Sequence, residues 1–252
     1  MIGVFDSGVG GLSVLAEIRR LLPDADLLYV ADRARAPYGV RELAEVRAIS
    51  HEVAEWLIGR GADCLVIACN TASAAALSSI RSAHPDLTVV GMEPAVKPAA
   101  AWTTSGRVAV FATEATFQGQ LFDSVVTRFA EDVEVVTVAC PEWVTMVEGG
   151  QVDGPVVADA IGRRVHPVVE AGVDTIVLGC THFSFLRPVI ERASGATVID
   201  PSRAVAARVC HVAPSIEGVG TTTLAASGEV GVFSDLARGV GGIDANVIRF
   251  AA

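Results

Sequence analysis

Short runs of Val, Ile and Leu, each followed by an amphipathic segment of helix length, recur from one end of the chain to the other. "IGVF" leads into "GGLSVLAEIRRLLP", "DLLYVAD" into "VRELAEVRAISHEVAEWLIGRG", and "DCLVIACN" into "TASAAALSSIRSAH", after which "LTVVGM" begins a new stretch. Continuously apolar strands are buried on both faces, and helices between them are crossovers, so the pattern predicts an α/β fold with mainly parallel sheets. The alternation restarts at "GRVAVFAT" (106–113), continues through "FQGQLFDSVVTRFA", "VEVVTVAC" and a long helical segment ending at Val173, and closes on "DTIVLGC". This predicts two doubly wound, pseudosymmetric domains, with the tail from about Ala206 returning to complete the first. That tail reads as a helix, a loop around Pro214 to Gly220, a strand "TTTLAAS" and a short helix near "VFSDLARGV". The expected division is 1–93 plus 206–252 for one domain and 94–205 for the other, with a site in the cleft between them. Ligands in such sheets bind at the carboxyl ends of the strands.

Two of those strand ends resemble each other. "DCLVIACNTAS" (63–73) returns as "DTIVLGCTHFS" (174–184): an acid, an apolar run, a cysteine, then small polar residues opening a helix. Duplication explains the pairing; chance likeness of two buried apolar strands is the competing explanation. A cysteine between a strand and a helix start sits where free N–H groups favour the thiolate. If the two halves face each other across a twofold axis, Cys69 and Cys180 approach one ligand from opposite sides. One thiolate can then take a proton from a carbon while the other thiol delivers one to the opposite face, inverting a stereocentre with neither metal nor covalent intermediate. Cys64, Cys140 and Cys210 read as packing residues.

Composition narrows the partners. The 252-residue chain carries a formal charge of −10 with no basic run, which argues against DNA or RNA as the main partner. Its five scattered cysteines form neither a zinc pattern nor a disulfide framework, so reduced thiols in a cytoplasm are expected. "MIGVFDSG" enters a strand directly, without a basic n-region or a small-residue cleavage site, and no apolar run reaches membrane-spanning length. Lys97 is the one lysine and stands between Pro94 and Pro98, a poor place for a pyridoxal phosphate Schiff base. A cofactor-free mechanism is therefore expected, without a metal.

The loop "FDSGVGGLSVL" places Asp6 and Ser7 at the end of the first strand, with Gly8, Gly10 and Gly11 freeing backbone N–H groups for an anion nest. It is not a dinucleotide fingerprint, because Val14 stands where the third small residue would be. In "ADRARAPYG" a rigid Pro37-Tyr38-Gly39 turn follows the second strand, and either the Tyr38 hydroxyl or the Gly39 amide could hold a carboxylate. Asp6 and His182 read as functional, each in a loop beside the expected site. For Asp32 a site role and a structural role stand level.

Taken in order, "FDSGVGGLSVL", "ARAPYG", "CNTAS", "PAVKPA" and "LGCTHF" resemble the aspartate/glutamate racemase family over nearly the whole chain. The DSG and Pro-Tyr-Gly loops resemble its glutamate-specific branch. The resemblance implies cofactor-independent, two-base interconversion of L- and D-glutamate on two α/β domains, supplying D-glutamate for peptidoglycan, in a cytoplasmic homodimer. It implies that Cys69 and Cys180 are the acid/base thiols, the first generally serving the D-enantiomer and the second the L-enantiomer. Asp6 would support Cys69, and His182 with Glu148 of "CPEWVTMVEGG" would support Cys180. Substrate contacts would come from Asp6, Ser7, Tyr38, Gly39, Asn70, Thr71, Thr181 and His182. Ala31 and Arg33 stand where the family usually has Gly and Thr, and Phe183-Ser184 where it has Tyr-Pro; Arg33 is expected to add charge near the entrance. Rival readings are an aspartate or hydantoin racemase, a binding protein that keeps the fold, and a cysteine hydrolase needing only one thiol.

Overall fold

The first strand, β1 (Ile2–Asp6), is wholly buried, which its apolar run requires, and it ends on a buried aspartate. Helix α1 (Leu12–Leu21), β2 (Leu27–Ala31), α2 (Leu43–Ile58), β3 (Cys64–Ile67), α3 (Asn70–Ala83) and β4 (Thr88–Gly91) follow in strict alternation. The structure is a computed structural model and describes residues 1–118, 120–213 and 218–251. After α4 (Val96–Trp102) the pattern repeats as β5 (Arg107–Ala112), α5 (Glu114–Phe117), α6 (Gln120–Phe129), β6 (Glu134–Ala139), α7 (Pro141–Glu148), α8 (Pro155–Glu170) and β7 (Thr175–Leu178). A 3-10 turn (Thr181–Leu186), α9 (Arg187–Ser194) and β8 (Thr197–Ile199) come next. The chain finishes with α10 (Ser202–Val212), β9 (Thr222–Ala226), α11 (Val230–Gly239) and β10 (Asn246–Arg249). Of the loop read at Pro214 to Gly220, residues 214–217 lie outside the described residues.

All strand pairs are parallel, in two sheets of order β10-β9-β2-β1-β3-β4 and β6-β5-β7-β8. The run β2-β1-β3-β4 has the same order as β6-β5-β7-β8, so the expected fold class and its internal symmetry are present. Register makes the correspondence residue by residue. Ile2 pairs with Cys64 as Val108 pairs with Thr175, and the reactive-cysteine candidates follow five residues later on each third strand. The two tail strands extend the first sheet beyond β2.

Alternation along each strand sends one set of side chains to each sheet face. Phe5, Leu28, Val30, Leu65 and Ile67 pack under α2 and α3, whereas Val108, Val110 and Val177 pack under α4 and α6. The opposite faces share one core running through both halves, where Trp143 stacks on Phe111 at 5.3 Å and meets Phe183 edge-on at 5.0 Å. The single long helical segment expected before Val173 is two helices, because Gly149, Gly150 and Gly154 break it, the last two with positive φ. The break leaves Glu148 at the end of α7, facing the first half.

Candidate active site

Cys69 is the N-cap of α3 and Cys180 precedes the 3-10 turn, so each thiol stands at the carboxyl end of the third strand of its half. Both are buried, and both line a cavity of about 20 Å³ together with Ser7, Tyr38, Gly39, Asn70, Thr71, Thr181 and His182. Such a space holds one water and no amino acid. Larger hollows exist, including one of about 760 Å³ beside Lys97 and Arg208, but it contains neither cysteine, and chemistry marks a reactive site better than volume. Lys97 itself holds its ammonium 5.2 Å from the Phe129 ring. Among the described residues no cluster of three or more His, Cys, Asp or Glu could ligate a metal.

The glycines of the first loop have a reason that the sequence does not show. A Cβ on Gly8 would lie within 1.8 Å of Glu148 Oε1, and one on Gly10 within 2.4 Å of Thr181 Oγ1 and 2.5 Å of His182 Nδ1. They allow the first half to press its backbone onto the second. One amide of this loop holds a carboxylate, which belongs to the protein itself: Val9 N donates to Glu148 Oε1 at 2.7 Å.

Around Cys180 the groups form a chain. His182 Nδ1 lies 3.7 Å from Cys180 Sγ, and His182 Nε2 lies 2.8 Å from Glu148 Oε1. Arg33 Nε donates to Glu148 Oε2 at 3.1 Å. Burial opposes charge on His182, yet hydrogen bonds and charge from Cys180 and Glu148 hold it well above the usual imidazole range. Burial likewise opposes ionisation of Glu148, but His182, the Val9 amide and Arg33 bring it down to about 2. When protonated, the imidazole places positive charge beside the Cys180 sulfur.

Cys69 has a different setting. Burial, the Asp6 carboxylate and the nearby Cys180 push its thiol well above the ordinary range, against the pull of the Ala72 and Ser7 amides. Its sulfur accepts from Ala72 N at 3.5 Å. Asp6 hydrogen bonds to Ser7, whose amide and hydroxyl both reach Oδ1, and accepts from Thr181 Oγ1 at 2.8 Å. It thus acts on Cys69 by charge rather than by contact.

The remaining wall is polar and fixed. Thr71 Oγ1 lies 3.0 Å from Thr113 Oγ1 and 3.3 Å from Thr116 Oγ1, a hydroxyl cluster joining the start of α3 to the segment after β5. The sequence reading did not include Thr113 or Thr116; register offers the signal, since Thr113 follows β5 where Ser7 follows β1. The Asn70 amide is buried, with its nitrogen 4.0 Å from Met92 Sδ and its oxygen without a partner. Tyr38 departs from expectation: its hydroxyl donates to Asp32 Oδ2 at 2.6 Å and is already engaged. Gly39 packs against Thr113, where a Cβ would approach to 2.6 Å. Arg33, expected at the entrance, is instead mostly buried against Glu148.

Two strand-end thiols on corresponding halves of a parallel α/β fold open onto one cavity, an arrangement suited to acid/base chemistry at carbon. A sequence model of the Asp/Glu/Hydantoin racemase family matches residues 2–209. The chain belongs to that family and is an isomerase of the racemase class. It is 50% identical over 213 residues to the glutamate racemase of Roseiflexus sp., covering 84% of this chain and 78% of that one. It is 46% identical over 213 residues to the glutamate racemase of Pseudomonas aeruginosa, covering 84% and 80%. Among solved structures, glutamate racemase RacE1 of Bacillus anthracis superposes with a TM-score of 0.91 at 30% identity, covering 100% of this chain and 97% of that one. The Escherichia coli glutamate racemase, solved with L-glutamate and the activator UDP-MurNAc-ala, superposes with a TM-score of 0.88 at 30% identity, covering 99% and 97%.

Proposed function

We propose that the chain interconverts L- and D-glutamate by proton transfer between Cα and two thiols, Cys69 and Cys180, without a cofactor. The observation that carries this reading is the common cavity: two cysteines from corresponding strand ends open onto one space lined by short hydroxyl and amide groups. Glutamate as substrate is supported by the names of the relatives and by the Ser7 and Tyr38-Gly39 loops they resemble.

In the L to D direction Cys180 thiolate takes the Cα proton. The electron pair passes into the α-carboxylate, and the Cys69 thiol gives its proton to the opposite face. Burial and the Asp6 carboxylate favour a proton on Cys69, and His182, raised above the usual imidazole range, lies beside Cys180, an arrangement that suits that direction. The reverse reaction starts from the other protonation state. Asn70 Oδ1, buried without a donor, suits the substrate ammonium, and Thr71, Thr113, Thr181 and Ser7 suit the carboxylates, whose charge must be held as it spreads. Since the cavity admits only a water, turnover requires an opening step before binding and closure around the substrate, which excludes water.

The same proposal divides the catalytic unit into 1–93 plus 206–252 and 94–205. Sheet membership of β9 and β10 and the packing of α10 on α1 support the return of the tail. Family resemblance supports a cytoplasmic homodimer whose D-glutamate enters peptidoglycan. Among the described residues no helix is long and apolar enough to cross a membrane.

The test is incubation with L- or D-glutamate, L-aspartate or a hydantoin in D2O, following optical activity and Cα deuterium. Inversion of glutamate with deuterium uptake is expected, falling at least about 10³-fold in both Cys69→Ala and Cys180→Ala. Exchange of another substrate alone moves the assignment within the family; full activity in either cysteine variant overturns the two-thiol mechanism.

A further inference from the structure

We propose that Arg33 is a positioning residue for the Cys180 side of the reaction, clamping Glu148 from the opposite half and sharing its charge with His182, so that the charge Glu148 presents to His182 is set only when the two halves meet. The inference rests on the two-thiol reading above and adds a residue that acts on one thiol and not the other.

The geometry is specific. Arg33 opens the 3-10 turn Arg33–Arg35 immediately after β2, so the sheet of the first half fixes its backbone. Its Nε reaches Glu148 Oε2 at 3.1 Å, and both side chains are 17% exposed. The other Glu148 oxygen receives Val9 N at 2.7 Å and faces His182 Nε2 at 2.8 Å. One carboxylate of the second half is thus held by two donors of the first and presents its remaining capacity to His182. Without Arg33, Oε2 has no other partner among its hydrogen bonds, while Val9 N still holds Oε1 beside His182.

The charge of Arg33 has a sign that can be worked out. His182 is faced by Glu148 and Cys180, and by uncharged Gly10 and Thr181. Glu148 is faced by His182, Arg33, the Val9 amide and the neutral phenol of Tyr29; Asp6 is engaged by Ser7 and Thr181. Arg33 is the one fixed cation among these groups. It shares the Glu148 charge with His182 and so restrains the rise in imidazole basicity. Removing it lets the imidazolium persist to higher pH.

Kinetics offer a clean separation of this role from a general one. Enantiomers have equal free energy in water, so kcat/KM for L- and D-glutamate must fall together in any variant. Individual kcat profiles are under no such constraint.

The experiment compares wild type, Arg33→Met and Arg33→Lys. It records kcat against pH for each enantiomer, and the His182 imidazole titration by NMR, assigned by the signal lost in His182→Asn. Arg33→Met should raise the His182 midpoint by about 0.5–1 pH unit. It should move the acid limb of kcat for L-glutamate by a similar amount and leave that for D-glutamate in place, with kcat/KM down about 3- to 10-fold for both. Arg33→Lys, which keeps the charge, should recover most of the His182 midpoint. An unmoved His182 midpoint in Arg33→Met, an equal shift of both kcat limbs, or no recovery in Arg33→Lys overturns the inference. If wild type exchanges no Cα proton, the racemase reading itself fails, and the His182 titration still decides whether Arg33 governs the pair.

Discussion

Asp32 shows how a buried acid beside a reactive cavity can serve the wall and not the chemistry. Its carboxylate is fully buried and accepts from Tyr38 Oη at 2.6 Å, Arg35 Nε at 2.7 Å and Ser227 Oγ at 2.8 Å. Ser227 in turn accepts from Ala34 N, so one residue pins the Tyr38 ring, the turn after β2 and the end of β9. Neutralising it leaves Arg35 with only the exposed Glu52, and Asp32→Asn should cost about 2–4 kcal/mol in urea denaturation while Cα exchange survives. Unchanged stability with exchange abolished would give Asp32 a direct part in the reaction. The two roles stood level in the sequence because both need only an acid after a strand. Cys69, Cys180, Asp6 and His182 were legible because each adjoins a strand end. Glu148 came through resemblance, and Thr113, Thr116 and the docking of Arg33 became visible only when the fold joined distant segments.

Elements explain why the repeated motif begins with an acid. Asp63, at the start of the third strand, meets the amino terminus at 3.0 Å, just ahead of β1. Asp174, its counterpart, accepts from Thr103, Thr104 and Ser105, just ahead of β5, and is held well below the ordinary carboxylate range by these bonds despite opposing desolvation. Each acid anchors the entry to the central strand of its own half, so the motif records a structural joint as well as a reactive cysteine. Strand order and alternation were readable because buried parallel strands are uniformly apolar. Short elements such as β8 and β10 were not, since three or four partly exposed residues carry no period. The close approach of the β1–α1 loop to the Thr181–Leu186 turn was also hidden, because glycine spacing does not say what lies opposite. Gly10 adopts no left-handed conformation, so alanine there strains no backbone, and its Cβ first meets Thr181 and His182 across the gap. Gly10→Ala should therefore hold the halves apart, lowering kcat about 10- to 100-fold and lowering the melting temperature as the joints between the halves loosen. Wild-type turnover in that variant would show that the contact is not needed for the reaction.

At the scale of the whole molecule, polar joints tie the halves: first Thr181 to Asp6, second Arg33 with Val9 to Glu148, and third Thr71 to Thr113 and Thr116. The second is sensitive to pH. Glu148 falls from an ordinary 4.5 to about 2, so its contribution is fully present above 4.5 and is lost as pH drops towards 2. His182 is raised above 6.5, so its contribution is fully present below 6.5 and is lost as pH rises through its folded value. Both shifts record largely one interaction and are not added together. The pair therefore stabilises the joined halves most between about 4.5 and 6.5. On the acid side the expected loss is on the order of 2–3 kcal/mol, since the carboxylate is mostly buried and weakly screened. Many carboxylates titrate in that range, so the informative quantity is a difference. Urea denaturation of wild type and Glu148→Gln at steps from pH 6 to pH 2.5 should show the two stabilities converging as pH falls, with wild type ahead at pH 6. Parallel curves would mean that Glu148 carries no pH-dependent share of the joint. A larger gap at low pH would reverse the sign assigned to it.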